Sequence, residues 1–328
     1  MNVPIQTEIP GLFVLPLPTP FPIGRVNTYV ALEGSLTLID VGVNSDRSYE
    51  ALAEGLSALG AAPADLDRII ITHHHTDHIG LVDRLVAESG AEVWCHARCV
   101  PYAESPAKTR EKLREWSVGV WQEGGVPQTL LDLTGQLFQW FASLSNGPVT
   151  VARRLQDCEQ IDLLGQSWTV LHTPGHAGDL ICLHQPESRL MLASDHLLRD
   201  VSSNALLEPP EPGQKRPRRL LEYMAQLQRV AELEPRIAYT GHGKPIMDVP
   251  ALVARRLAFH RERAEKILAL LTDDAYTLYE ITEMMFAHVP DSEKFLALSE
   301  VLGHLDLLER DGRIRRIARD GLTYWQAA

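Results

Sequence analysis

Cysteine is scarce in this chain, with four among 328 residues: Cys95, Cys99, Cys158 and Cys182. Their spacing gives neither a disulfide framework nor the paired arrangement of a Cys-type zinc site. They read as reduced, mostly buried thiols of a cytoplasmic protein. Positive charge is also in short supply. The 31 Lys and Arg stand against 43 Asp and Glu, a formal net charge of −12, which argues against a general affinity for phosphate backbones. No apolar run reaches the roughly eighteen residues that a membrane span requires, so no membrane partner is expected. Met1 to Gly11 lacks a basic segment followed by an apolar one and does not read as a secretory signal.

Hydrophobic residues, at 45%, are plentiful enough to build a sizeable core. The length favours two domains. Leu12 to Leu17, Asn27 to Leu32 and Ser35 to Asp40 read as strands, with Glu33-Gly34 as a hairpin turn. A helix from Ser45 to Leu59 ends at Gly60. Strand Arg68 to Ile71, helix Ile79 to Ser89 and strand Glu92 to His96 follow, and further strands fall near Trp168 to His172, Leu180 to His184, Arg189 to Ala193 and Ile237 to Thr240. This alternation predicts an α/β layered architecture.

Residues 98–146 interrupt it with a helical pattern carrying Trp116, Trp121, Phe138, Trp140 and Phe141. This segment is either rim packing or a cap that walls a substrate pocket. The stretch from Glu208 to Arg219 is proline-rich and carries Lys215, Arg216, Arg218 and Arg219; it reads as a loop bordering the site or as solvated surface. Beyond Pro250 come helices at Ala251 to Leu271, Leu278 to His288 and Ser292 to Glu309, then a hairpin around Asp320-Gly321. That order is a winged-helix pattern. It divides the chain into 1–250, a catalytic unit with an insert at 98–146, and 251–328, a winged-helix-like unit.

The chemistry is concentrated in His73-His74-His75-Thr76-Asp77-His78. At the exit of a strand, residues two apart point the same way, so His73 and His75 can share one ion. Asp77 and His78 stand where the chain turns into a helix and can be aimed at a second ion beside the first. Three later strands end in His176, after a Pro-Gly turn, in Asp195, and in His242 between two glycines. Ligands at the ends of several strands suit a site at one edge of a sheet.

With these motifs the chain resembles the metallo-β-lactamase superfamily on its glyoxalase-II-like side. Within it, the likeness is to lactamase-β-2-like proteins, which join that fold to a small C-terminal winged-helix domain. The resemblance implies a four-layer αββα sandwich. It implies one metal held by His73, His75 and His176, a second held by Asp77, His78 and His242, and Asp195 bridging them. It also implies that Asp40 sits behind the site and orients a ligand imidazole. Two positions depart from the usual pattern: Ala193-Ser194 precedes Asp195 where a glycine is more common, and His75 stands where the oxygen-reducing diiron branch has a carboxylate. The latter points to hydrolysis. His74 reads as facing away from the metals, and His96, His184, His260, His288 and His304 read as structural or surface residues. His172 and His196 flank ligands and remain open to a direct role.

Imidazole and carboxylate donors suit zinc, with manganese or iron also compatible. Two such ions about 3.5–4 Å apart lower the pKa of a shared water, so the expected reaction is hydrolysis by a metal-bridging hydroxide, with Asp77 and Asp195 as the catalytic carboxylates. A carboxylic ester or thioester of a small molecule is the first substrate class and single-stranded RNA the alternative. A metal-dependent nucleic-acid-binding regulator is the non-enzymatic alternative. Residues 251–328 hold eleven Lys or Arg against thirteen Asp or Glu, and the third helix carries Glu293, Glu300, Asp306 and Glu309 against Lys294 and Arg310. That makes a poor DNA reader. Packing on the catalytic unit, or on a second copy in a homo-oligomer, suits it better.

Overall fold

The computed structural model describes residues 3–271 and 274–328; Met1 and Asn2, at the start of the segment compared with a secretory signal, lie outside them. Side-chain alternation along the strands sets the layers. In strand Arg68–Ile71, Ile69 and Ile71 join a core against helices Asp46–Ala58 and Val82–Ser89, while Ile70 faces a second core between two sheets. In strand Leu190–Ser194, Leu190 and Leu192 join that same inter-sheet core, and Met191 and Ala193 face the helices on the far side. Helices, sheet, sheet and helices therefore stack in four layers, as the resemblance implied.

The first sheet runs in chain order through Ile5–Gln6, Leu12–Leu17, Val26–Ala31, Thr37–Ile39, Arg68–Ile71, Glu92–His96 and Val151–Leu155. Hairpin neighbours pair antiparallel up to Thr37–Ile39, and crossovers make the later pairs parallel. The second sheet has the order Ile237–Thr240, Leu190–Ser194, Ile181–Gln185, Gln166–His172, Gln160–Leu163. Backbone bonds stitch the two sheets together at one edge. Asn27 donates to Gly241 O at 2.7 Å and Ile181 to Thr72 O at 3.0 Å.

The expected helix from Ile79 to Ser89 is two pieces, Thr76–Ile79 and Val82–Ser89. Gly80 packs so close to the preceding loop that an added Cβ would lie 2.5 Å from Asn44 N. Leu81 N bonds Gly42 O across that contact, which turns the chain and breaks the helix. Helix Arg219–Glu232 is an element the sequence pattern does not announce; it packs Leu220, Tyr223 and Leu227 beneath the second sheet.

The insert forms helices Val100–Glu104, Pro106–Glu123 and Gln128–Ser143. Helices Val249–Leu270, Leu278–Phe286 and Lys294–Arg310 precede the hairpin Ile314–Arg319 and Leu322–Ala327. Trp121 and Leu130 of the insert, Leu298 and Leu305 of the last helix and Trp325 of the hairpin all share one core with the second sheet's outer face.

The loop arginines are not a solvated patch. Arg216 grips the buried carboxylate of Asp306 with one bond at 2.8 Å, Arg218 pairs with Glu309, and Arg219 pairs with Glu208 and Glu222. Asp306 and Glu309, the partners of Arg216 and Arg218, are invisible from composition because they lie on the distant helix Lys294–Arg310. We expect Arg216→Ala to lower stability by about 2 kcal/mol in urea unfolding, since it removes both close bonds to a buried carboxylate and leaves it only Arg218 and Arg316, at 4.0 and 3.9 Å. A change within about 0.5 kcal/mol would class the pair with solvent-screened surface contacts.

Candidate metal centre

Four strand ends deliver the site. Arg68–Ile71 runs out into His73, His75, Asp77 and His78; Gln166–His172 leads to His176; Leu190–Ser194 ends at Asp195; Ile237–Thr240 leads to His242. All seven predicted positions converge. His73, His75 and His176 form one group of candidate ligand atoms, and Asp77, His78 and His242 form another.

In the first group, Nδ1 of His75 stands 3.0 Å from Nε2 of His73 and 2.9 Å from Nε2 of His176. These separations approach the edge of about 3.3 Å expected of a tetrahedron of imidazoles around zinc. In the second, His242 Nε2 lies 3.3 Å from Asp77 Oδ2, and His78 Nε2 lies 3.9 Å from Asp77 Oδ1. Asp195 Oδ2 joins the groups, at 3.5 Å from both His78 and His176 and 3.6 Å from His242.

Partners behind the rings fix which nitrogen faces inward. Nδ1 of His176 donates to Asn204 O at 2.8 Å, and Nδ1 of His242 donates to Arg25 O at 2.9 Å. Carbonyls only accept, so in the neutral rings the lone pair falls on each Nε2, directed toward the centre. Nδ1 of His78 donates to Asp40 Oδ2 at 2.7 Å. Asp40 also accepts from Thr72 N and Thr72 Oγ1, both at 2.8 Å. Thr72 Oγ1 in turn meets His73 Nδ1 at 3.1 Å and Ser194 Oγ at 2.7 Å.

The backbone is strained where the ligands need it. Ser194 has φ of 46°, in the left-handed region that glycine enters freely, which explains why a glycine is the more common residue there. The strain costs a serine about 1 kcal/mol, and the Thr72 bond offsets part of it. Gly241 is indispensable for a different reason: a Cβ there would lie 2.0 Å from Asp195 Oδ1.

The donor set fits a cation. His78 Nε2 and Asp195 Oδ1 are buried without a hydrogen-bond partner, a state that polar atoms rarely keep. Burial, with the neighbouring imidazoles, holds His73 and His75 well below the usual histidine range, which leaves them neutral donors. Burial also disfavours charge on His78 and His242, yet Asp195 and the other carboxylates overcome it and push His242 up to about 10. The carboxylates thus demand positive charge at this spot.

The remaining histidines sort themselves. His74 leaves the cluster to pair with Asp179 at 2.8 Å and stacks on Tyr102 at 3.8 Å. His172 stacks on His96 and donates to Gly178 O. His196 is fully buried against Tyr223. None of these is in the two ligand groups. Asp179 escapes sequence reasoning because its partner lies 105 residues away and a Gly-Asp pair carries no local signal of its role.

Imidazoles and carboxylates gathered at one edge of two stacked sheets define a metallo-hydrolase. The chain belongs to the metallo-β-lactamase superfamily: that family's model matches residues 22–242. It is 34% identical to the probable metallo-hydrolase YqjP of Bacillus subtilis, over 94% of this chain and 93% of that protein. It is 22% identical to the beta-lactamase-like protein 2 homolog of Drosophila melanogaster, over 91% of this chain and 87% of that one. An atrochrysone carboxyl ACP thioesterase of Claviceps purpurea is 24% identical over 94% of this chain and 82% of its own length. Among solved structures, the metallo-beta-lactamase family protein TTHA1429 of Thermus thermophilus superposes with a TM-score of 0.84 at 30% identity, covering 98% of this chain and 100% of that one.

Removal of Asp40 frees the His78 ring, so Asp40→Ala should weaken metal binding about 10–100-fold in chelator competition. Gly241→Ala should displace Asp195 and lower metal content further. Wild-type affinity in both variants would remove these residues from the support of the centre.

Proposed function

We propose that this hydrolase cleaves a carboxylic ester or thioester of a small molecule, and that it does so with two divalent cations, zinc by donor type. His73, His75 and His176 would hold one ion, Asp77, His78 and His242 the other, with Asp195 shared between them. The observation that carries this reading is the placement of Asp195 Oδ2 within 3.6 Å of His78, His176 and His242. When bound, two such ions supply Lewis acidity and a water of lowered pKa.

The chain's own residues do the rest. Asp77 is held below the usual carboxylate range, because His78 and His242 outweigh the effect of its burial. It is therefore ionised, and beside holding a cation it can orient the attacking water. Asp40 fixes the His78 ring. We further assign residues 1–250 to catalysis and 251–328 to a winged-helix-like unit that braces it.

Ester over RNA is favoured by the aromatic rim and by the paired arginines. Phe21, four residues before the Arg25 carbonyl that holds His242, packs edge-on against Trp140 and also against Phe141, both at 5.7 Å. Phe141 meets Phe295 at 6.0 Å. Trp140 is 41% exposed, so the rim offers apolar surface for an acyl group. The thioesterase relative supports the thioester in particular. The loop arginines, which RNA would need, are engaged with carboxylates.

Fully loaded protein should contain two ions per chain by elemental analysis; one or none would sink the dinuclear reading. A panel of esters, thioesters, lactones, phosphodiesters and short RNA, assayed on protein of known metal content, should give turnover with the first two classes. Trp140→Ala should raise KM for aromatic and long acyl groups several-fold with the metal content unchanged. An unaltered KM across the panel would return the insert to rim packing.

A further inference from the structure

A cavity of about 710 Å³ lies between helix Pro106–Glu123 and the loop before helix Arg219–Glu232. Gly178 and Asp179 form part of its wall. Gly178 lies two residues beyond His176, and Asp179 bonds His74, which sits between His73 and His75. The cavity therefore backs onto the two loops that carry the first ligand group, although none of the seven candidate ligands lines it.

Its charge runs against that of the chain. Arg216, Arg218 and Arg219 on its wall are committed to carboxylates. Four further cations line it without a carboxylate in ion-pair reach among the described residues: Arg98, Lys108, Lys112 and Lys215. Arg98 makes one long bond, at 3.5 Å, to Gly178 O. Lys108 and Lys112 are four apart on one helix and so share a face, with Lys215 contributed by the opposite wall. Two carboxylates there, Glu104 and Glu211, are likewise not paired with a cation. The balance remains positive, in a protein of net charge −12.

We propose that this cavity binds the phosphorylated end of the substrate's leaving group. The proposal rests on the ester and thioester reading. The lysines supply point charges that a phosphate monoester or diester attracts without demanding fixed geometry. A volume of this size lies within the range of small-molecule sites. A thioester whose thiol sits on a long phosphorylated arm would place its phosphate among the lysines and its acyl carbon toward the metal centre. The hydrolysis releases the carboxylic acid and the intact phosphorylated thiol, so the phosphate is an anchor and takes no part in bond cleavage.

The test is the charge reversal Lys108→Glu, Lys112→Glu and Lys215→Glu in the full-length, metal-loaded protein. All three side chains are exposed and outside the candidate centre, so the fold and metal content should persist. With 4′-phosphopantetheine as the calorimetric probe, wild-type protein should bind it and the triple variant should bind at least tenfold more weakly. KM for an acyl-phosphopantetheine should rise about tenfold in the variant, while KM for the same acyl group on unphosphorylated pantetheine should not move.

Equal binding of the probe by both proteins would overturn the assignment. So would equal KM values for the phosphorylated and unphosphorylated thioesters in the wild type. Tighter binding of a short RNA, abolished by the triple variant, would overturn it in favour of a nucleic-acid site. Should neither thioester turn over, the ester reading fails by itself, and the calorimetry alone decides the cavity.

Discussion

The arrangement rests on the carboxylate of Asp40. At the end of strand Thr37–Ile39 it occupies a left-handed conformation, with φ of 61°, and accepts three bonds from Thr72 and His78. Those bonds tie a strand end to the ligand-bearing loop and fix the tautomer of His78. Through Thr72 the same network reaches His73 on one side and Ser194, just before Asp195, on the other. One buried acid thereby positions residues of both candidate ligand groups and of the carboxylate between them.

Such a site is expensive to build, which explains the geometry around it. Desolvating several imidazoles and carboxylates at a sheet edge is unfavourable unless each has a partner. The protein supplies carbonyls behind His176 and His242 and a carboxylate behind His78. It accepts positive φ at Asp40 and Ser194 and excludes any side chain at position 241. Local strain and local crowding at these points are the cost of aiming lone pairs at common centres. They are tolerable because the strand ends themselves are held by two sheets stitched together through Asn27 and Ile181.

The layered fold and the ligand cluster are legible in the sequence because both are local patterns. The short apolar run of Arg68–Ile71 and the spacing from His73 to His78 are properties of neighbouring residues. Helix Arg219–Glu232 is hidden by the proline-rich loop leading into it, and the break at Gly80 depends on a tertiary contact with Asn44 that no local pattern encodes. The roles of His74 and Asp179 are out of reach for the same reason. Alternation at the strand exit turns His74 away from the metals, but its pairing with Asp179 joins residues far apart in sequence, which no local pattern shows.

Charge shows the limit of composition most plainly. Read along the chain, Lys215 to Arg219 is a single basic cluster; in three dimensions it divides. The arginines turn inward, where planar guanidiniums match the carboxylates of Asp306, Glu309, Glu208 and Glu222. The pairs to Asp306, Glu309 and Glu208 fasten the loop to a helix, and Arg219–Glu222 lies within one helix. Lys215 stays exposed and faces Lys108 and Lys112 across the cavity. An acidic surface repels polyanions over long range, so cations left free inside a confined cleft favour a short, singly anchored anion over a long nucleic-acid backbone. The division of labour between arginine and lysine, rather than the number of basic residues, is what links this cavity to a small phosphorylated ligand.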